Sequence, residues 1–333
     1  RVLCFCGICN HWLFSKNPGH DFTRQHLGKL SFYDTMRLII SMGKGSTNDE
    51  IMDYFDLDPD LIPSQSAFCQ RRRQISLSAF EYLFSEFSSS FPSTTDKFKD
   101  HCILACDGCH VVYATNSDII EDYNKPRLID YKGYNHMHLN GFVDVISKAF
   151  LDVVIQPGQQ PDEREALHSM LDHFTPDDPQ KYIITADRGY ESSDLLFHCE
   201  LKNLGYVFRV KSPSSPKSIL SYYASELPDD LEEFDVTIKR FFTDKATNIM
   251  KSQSDVYRYI NPSKNTPHFY ELLRKNSHLY FLQFRVVKIK TAGISKTGNL
   301  FPPDSVQFRH FYRKRSGRRK PEKETGWQQQ VSL

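Results

Sequence analysis

The chain has 333 residues and a mass of 38.8 kDa, long for one hydrophobic core, so two or three structural units are expected. With 39% hydrophobic and 25% charged residues it reads as globular rather than disordered. Its longest apolar runs, such as Leu38 to Met42, fall far short of the roughly 20 residues that cross a bilayer. Lys plus Arg (42) nearly cancels Asp plus Glu (41), so the net charge of +1 names no partner and only local patches inform.

Cys4-x-Cys6-x2-Cys9 with His11 has the density of a zinc cluster, yet its spacing matches no common paired motif and no second half follows. From about Asp21 to Phe91 the pattern is helical, with Leu30, Phe32, Met36, Leu38, Ile39 and Ile40 near the helical period. Ser46 is placed to cap a helix reaching about Phe55. After a linker holding Pro59 and Pro63, Ser64 is placed to cap another, carrying Ala67, Phe68, Arg71, Arg72, Arg73 and Ile75. The pair resembles a helix-turn-helix, which would set the arginines on DNA phosphates or guanine edges; a solvated basic helix face is the other reading.

A Pro-, Ser- and Thr-rich linker from Phe91 to Asp100 places a domain boundary near Lys97, after which strands and helices alternate. The predicted strands are Cys102 to Asp107, Met137 to Ile146, Ala149 to Gln156, Lys181 to Asp187 and Tyr206 to Val210. Helices over Asp162 to Phe174 and Ser192 to Leu204 fall between them, and Ser147-Lys148 reads as a tight antiparallel hairpin. This order matches an α/β fold of the ribonuclease-H-like kind, a mixed sheet with its first and fourth strands side by side. From Ser212 to Asn276 the alternation is lost in a polar, Pro-containing stretch, read as an insertion, before a long strand from Leu279 to Lys290. Eight cysteines in so long a chain suit a reducing cytosol better than a disulfide scaffold, and no secretory signal is read.

Two apolar strands each finish in a carboxylate: Cys102-Ile103-Leu104-Ala105-Cys106 ends in Asp107, and Tyr182-Ile183-Ile184-Thr185-Ala186 ends in Asp187. On neighbouring strands about 4.8 Å apart these carboxylates would repel, and a hard divalent cation, magnesium or manganese, would relieve the repulsion while leaving positions for phosphate oxygens. Phosphoryl transfer is the chemistry such a pair suits; capping of the turns after the strands is the bland alternative. His136 and His138 share a strand face and either bind metal or pack. Asp162-Glu163-Arg164 complements the dipole of a helix N-terminus.

Asp107-Gly108 and Thr185-Ala186-Asp187-Arg188-Gly189-Tyr190, with Lys16-Asn17-Pro18-Gly19, Ser66-Ala67-Phe68 and Tyr131-Lys132-Gly133-Tyr134, resemble the insertion-sequence-4-type DDE transposases of bacteria. The resemblance implies a magnesium- or manganese-dependent enzyme, with Asp107 and Asp187 as catalytic metal ligands. Such enzymes nick the ends of their own element and join the 3′ hydroxyls to target DNA. It further implies double-stranded DNA partners (terminal repeats and target), a homodimer on DNA, a nucleoid-associated place in the bacterial cytoplasm, and no membrane partner. Arg188, Tyr312 and Arg315 join Arg71, Arg72 and Arg73 as expected DNA contacts.

The family's third carboxylate follows a helical pattern of Tyr, two residues, Arg, three residues, Glu, six residues, Lys. Here Tyr312 and Arg315 begin it, but Arg319 stands where Glu belongs, and a guanidinium cannot shed its charge beside cations. A frameshift near Arg315 is the expected cause, with Glu322 and Glu324 poor substitutes in an unpatterned basic tail. The expected division is a helical DNA-binding region over 1–96, the first part of the core over 97–211, a strand-containing insertion and returning strand over 212–290, and a core remnant over 291–333, off-frame from about 316. Two functions follow as alternatives: a transposase disabled at its third carboxylate, or a DNA-binding remnant that competes with intact transposase without catalysis. An aspartate-nucleophile phosphohydrolase would want a second acid just after Asp107, where Gly108-Cys109 stands.

Overall fold

The computed structural model describes residues 30–90, 97–125, 132–245, 247–261, 266–290 and 307–312. The Cys4, Cys6, Cys9 and His11 group, Lys16 to Gly19, Tyr131, Arg315, Arg319, Glu322 and Glu324 lie outside these residues. The chain divides into two compact units, Arg1–Phe91 and Pro92–Leu333. Among the described residues no helix is long and apolar enough to cross a membrane.

The first unit holds α1 (Phe32–Ser41), α2 (Thr47–Tyr54), α3 (Gln65–Gln74) and α4 (Leu77–Ser90). Ser31, Ser46 and Ser64 start the first three by accepting the backbone N–H three residues on, at 3.0, 3.3 and 3.2 Å. Leu30, Leu38, Ile51 and Phe68 bury together, and with Phe68 turned inward, Arg72 and Arg73 on the same helix are exposed. The connection from Phe55 to Ser64 is longer than the roughly 3–4 residues of a helix-turn-helix turn. Asp56 and Leu57 in it take left-handed backbone, φ 51° and 59°.

In the second unit, β1 (Cys102–Tyr113), β2 (Tyr123–Asn124), β3 (Tyr134–Asp144), β4 (Phe150–Pro157), α5 (Glu163–His173), β5 (Tyr182–Ala186), α6 (Ser193–Leu201) and β6 (Gly205–Arg209) follow the predicted alternation, except for the short β2, which was not predicted. β1 lies between β3, antiparallel, and β5, parallel. The hairpin between β3 and β4 needs more than Ser147-Lys148: it spans Val145 to Ala149, with Lys148 at φ 59°. Ala166, Leu167, Met170 and Leu171 of α5 and Leu195, Leu196 and Cys199 of α6 pack on Leu104, Cys106, Ile184 and Ala186, which explains why both strands read as nearly continuous apolar runs.

The chain continues through β7 (Phe234–Thr243), α7 (Asn248–Ser252), β8 (Tyr257–Tyr259), α8 (Pro267–Lys275), β9 (Leu279–Lys290) and β10 (Gln307–Tyr312). The sheet order is β2-β3-β1-β5-β6-β10-β9-β7-β8, with β4 also on β3. The insertion expected to contain strands holds a full one, β7, whose position the sequence did not reveal because its inward residues include a charged one, Arg240. One expectation is corrected. Tyr312 ends a strand paired with β6 and β9 rather than beginning a helix.

Candidate active site

Side by side and in register, β1 and β5 pair Leu104 with Ile184 and Cys106 with Ala186, so the next residue on each is an aspartate. Asp187 leaves β5 and caps the single turn Arg188–Tyr190, its Oδ1 accepting the Gly189 N–H at 2.6 Å. Asp107 does not end its strand, as the sequence suggested: β1 runs on to Tyr113 against β3 alone, because β5 has stopped. Its Oδ1 accepts the Gly108 N–H at 2.9 Å. One oxygen of each carboxylate is thus spent on backbone, and both side chains are exposed.

A third acid approaches the pair. Asp162 is the helix cap, accepting the Arg164 and Glu165 N–H groups at 3.0 and 3.1 Å. Glu163, the first residue of α5, turns instead toward Gly189: a Cβ there would lie 3.0 Å from Asp187 Oδ1 and 3.2 Å from Glu163 Oε2. Arg164 Nε donates to the Gly189 carbonyl at 3.2 Å and steadies the same turn. The local negative charge registers on the neighbours. Burial pushes the Cys106 thiol up to about 12 even though it bonds Tyr190, and Asp107 and Glu163 add to the rise. Tyr190, fully buried beneath the turn, is raised chiefly by burial and further by Cys106, Glu163 and Asp107.

His138, 3% exposed, places Nε2 3.5 Å from Glu163 Oε1. It can do so only because residue 108 is glycine, since a Cβ there would meet His138 Cε1 at 2.3 Å. His136 is buried on the same face, and the exposed His110 ring stands edge-on to both at 4.6 and 4.8 Å. The proton affinity of His110 falls, first through desolvation and then through those two rings. Behind the Asp187 turn, the buried Glu191 accepts Ser218 Oγ and Ile219 N–H at 2.9 and 2.7 Å on one oxygen and Lys211 N–H at 3.1 Å on the other. It fixes where the chain goes after β6.

Sequence reading paired Asp107 with Asp187, and Arg188 adjoins them, exposed. It missed Glu163 and His138 as neighbours, whose approach depends on α5 packing over β1 and β3. Cys102 and Cys106 are core residues as expected, whereas Cys109 is exposed. Arg71, Arg72 and Arg73 belong to the first unit; Arg71 bonds Gln74 at 3.2 Å, and Arg72 lies over the Phe68 ring. Tyr312 closes β10, and Arg315 lies outside the described residues.

The family model described as the transposase DDE domain matches residues 98–327. The chain belongs to this family. DDE transposases generally use divalent metal ions, and the oxygen donors around Asp107 and Asp187 fit hard cations. The mixed sheet with β1 beside β5 is the ribonuclease-H-like arrangement expected of such a domain. Among solved structures, the chain is similar to a piggyBac transposase in a synaptic complex with hairpin DNA, determined by cryo-electron microscopy. The identity is 11%, over 86% of this chain and 51% of that one, with a TM-score of 0.34. The chain thus spans about half of that transposase. No curated protein matches the chain.

Proposed function

We propose that the chain derives from an insertion-sequence-4-type bacterial transposase that binds the ends of its element and cleaves and joins DNA at Asp107 and Asp187. The observation that carries this reading is the register of β1 and β5, which makes the two aspartates lateral neighbours. Magnesium or manganese held there would activate an attacking oxygen and stabilise the leaving oxygen at phosphorus. The chain's own residues set the frame for that site. Gly189 and Gly108 N–H groups orient the two carboxylates, Arg164 holds the turn, and the exposed Arg188 would contact a DNA phosphate. Arg72 and Arg73, exposed on α3, support a DNA-binding role for the first unit, with Tyr312 and Arg315 as further contacts and a homodimer on paired ends in the bacterial nucleoid as the working assembly.

The third carboxylate is the point of failure. Arg319 occupies its place in the sequence pattern, so this chain is a disabled enzyme that still binds terminal repeats. The test is metal-dependent nicking of a duplex carrying the element's ends, comparing this chain, Asp187→Ala, Glu163→Gln and a form with Arg319→Glu and a restored downstream helix. Cleavage by the restored form alone supports the proposal. Cleavage by the present chain that disappears in both Asp187→Ala and Glu163→Gln would contradict the assigned inactivity and name Glu163 as the acid that serves. Binding without preference for terminal repeats would remove the competitor role.

A further inference from the structure

Away from the aspartates, inside the second unit, three histidines from three helices meet: His168 of α5, His198 of α6 and His268 of α8. Each turns one ring nitrogen toward a carboxylate. His268 Nδ1 is 2.7 Å from Asp194 Oδ2, His168 Nε2 is 3.7 Å from the same oxygen, and His198 Nε2 is 3.2 Å from Asp172 Oδ1. A carboxylate only accepts, so a neutral His268 carries its hydrogen on Nδ1 and a lone pair on Nε2, whereas the 3.7 Å contact of His168 is too long to fix which of its nitrogens carries the hydrogen. The opposite nitrogens of His168 and His198, both Nδ1, are 2.9 Å apart. At that distance the pair makes a neutral N–H···N hydrogen bond when one ring carries its hydrogen on Nδ1, and offers two lone pairs to a shared cation when both carry it on Nε2.

We propose that His168, His198 and His268 bind one borderline divalent transition-metal ion, zinc by preference, which ties α8 to α5 and α6. One ligand nitrogen from each ring lies within 4.8 Å of the others, and imidazole donors backed by carboxylates are the usual arrangement around such ions. Asp194 is 3% exposed, and its other oxygen accepts the Phe269 N–H at 3.0 Å; a cation beside it offsets a buried negative charge. A metal takes neutral rings, and burial favours the neutral form of both His168 and His198.

The rings are stacked, with centroids 3.8 Å apart for His198 and His268 and 4.4 Å for His168 and His268. A metal lies in the plane of each ring it binds, so loading turns the rings about their side-chain torsions until the planes converge. The ion would be structural and separate from the aspartates, whose oxygen donors suit a harder cation.

The experiment uses the whole chain, stripped with chelator and titrated with zinc, alongside His198→Asn, His268→Asn and a Cys4→Ser, Cys6→Ser, Cys9→Ser variant. The expected result is about one equivalent bound by the parent chain and the cysteine variant. Either histidine variant should lose at least about tenfold in affinity, and zinc should raise Tm only where it binds. Cobalt substitution of the parent chain needs no variant: tetrahedral d–d bands without a thiolate charge-transfer band support the histidine site. Failure of the parent chain to retain zinc, zinc loss in the cysteine variant alone, or a thiolate band would overturn it.

Discussion

Where β1 and β5 run side by side, the inward positions are Leu104, Cys106, Ile184 and Ala186, and two helices cover them. Across the sheet on β7 and β9, the inward face mixes Ile238, Leu282, Phe284 and Val286 with Arg240 and Lys288, both nearly fully buried. Arg240 pairs with Glu226 and lies 5.5 Å from the centre of the Tyr223 ring; Lys288 donates to the Asp229 carbonyl at 2.7 Å. The aspartate half is held by apolar burial, on which the proposed site at Asp107 and Asp187 would rest. The other half is held partly by desolvated cations, each of which must keep its partner.

The largest effect should fall on the aspartates. In a chain with the third carboxylate restored, Asp187→Ala should lower DNA cleavage by about a thousandfold, ~4 kcal/mol of transition-state stabilisation, with the melting temperature little changed. Retained cleavage would detach the chemistry from this half of the sheet. Next comes the packing beneath: Leu104→Ala, at a fully buried position, should cost about 3 kcal/mol in denaturant unfolding.

On the other half, Arg240→Ala should cost about 2 kcal/mol, less than a fully enclosed pair because Glu226 is 34% exposed and regains water. Replacing both partners, Arg240→Met with Glu226→Gln, should return stability close to the parent's. If the double replacement is as damaging as the single, the cations are not the weak element of that half. The smallest effect is a control in the first unit. Ser64→Ala removes the α3 cap and should cost about 1 kcal/mol there, read by amide exchange of α3, while leaving the second unit untouched.

The same contrast decides what the sequence could reveal. β1, β5, α5 and α6 were legible because their inward residues are apolar at the right period, and the two aspartates were legible because each follows such a run. β7 was not, since Arg240 interrupts the alternation and its compensation by Glu226 exists only in the folded chain. The extension of β1 beyond Asp107 was hidden for a related reason: from Asp107 to Val112 its side chains are largely exposed, and its pairing with β3 is made by backbone. Glu163 looked like a helix-dipole residue because its neighbour Asp162 is one. Nothing local separates a cap from an acid that leans over a distant turn. The three histidines are far apart in sequence and meet only through helix packing.

The central claim is that Asp107 and Asp187 form one hard-cation site, and binding tests it without requiring activity. Manganese titration of the whole chain, followed by the loss of the free-ion electron paramagnetic resonance signal, should show a site weakened at least about tenfold by Asp107→Ala and by Asp187→Ala, and unaffected by His198→Asn. Manganese affinity unchanged in both aspartate variants would contradict the account.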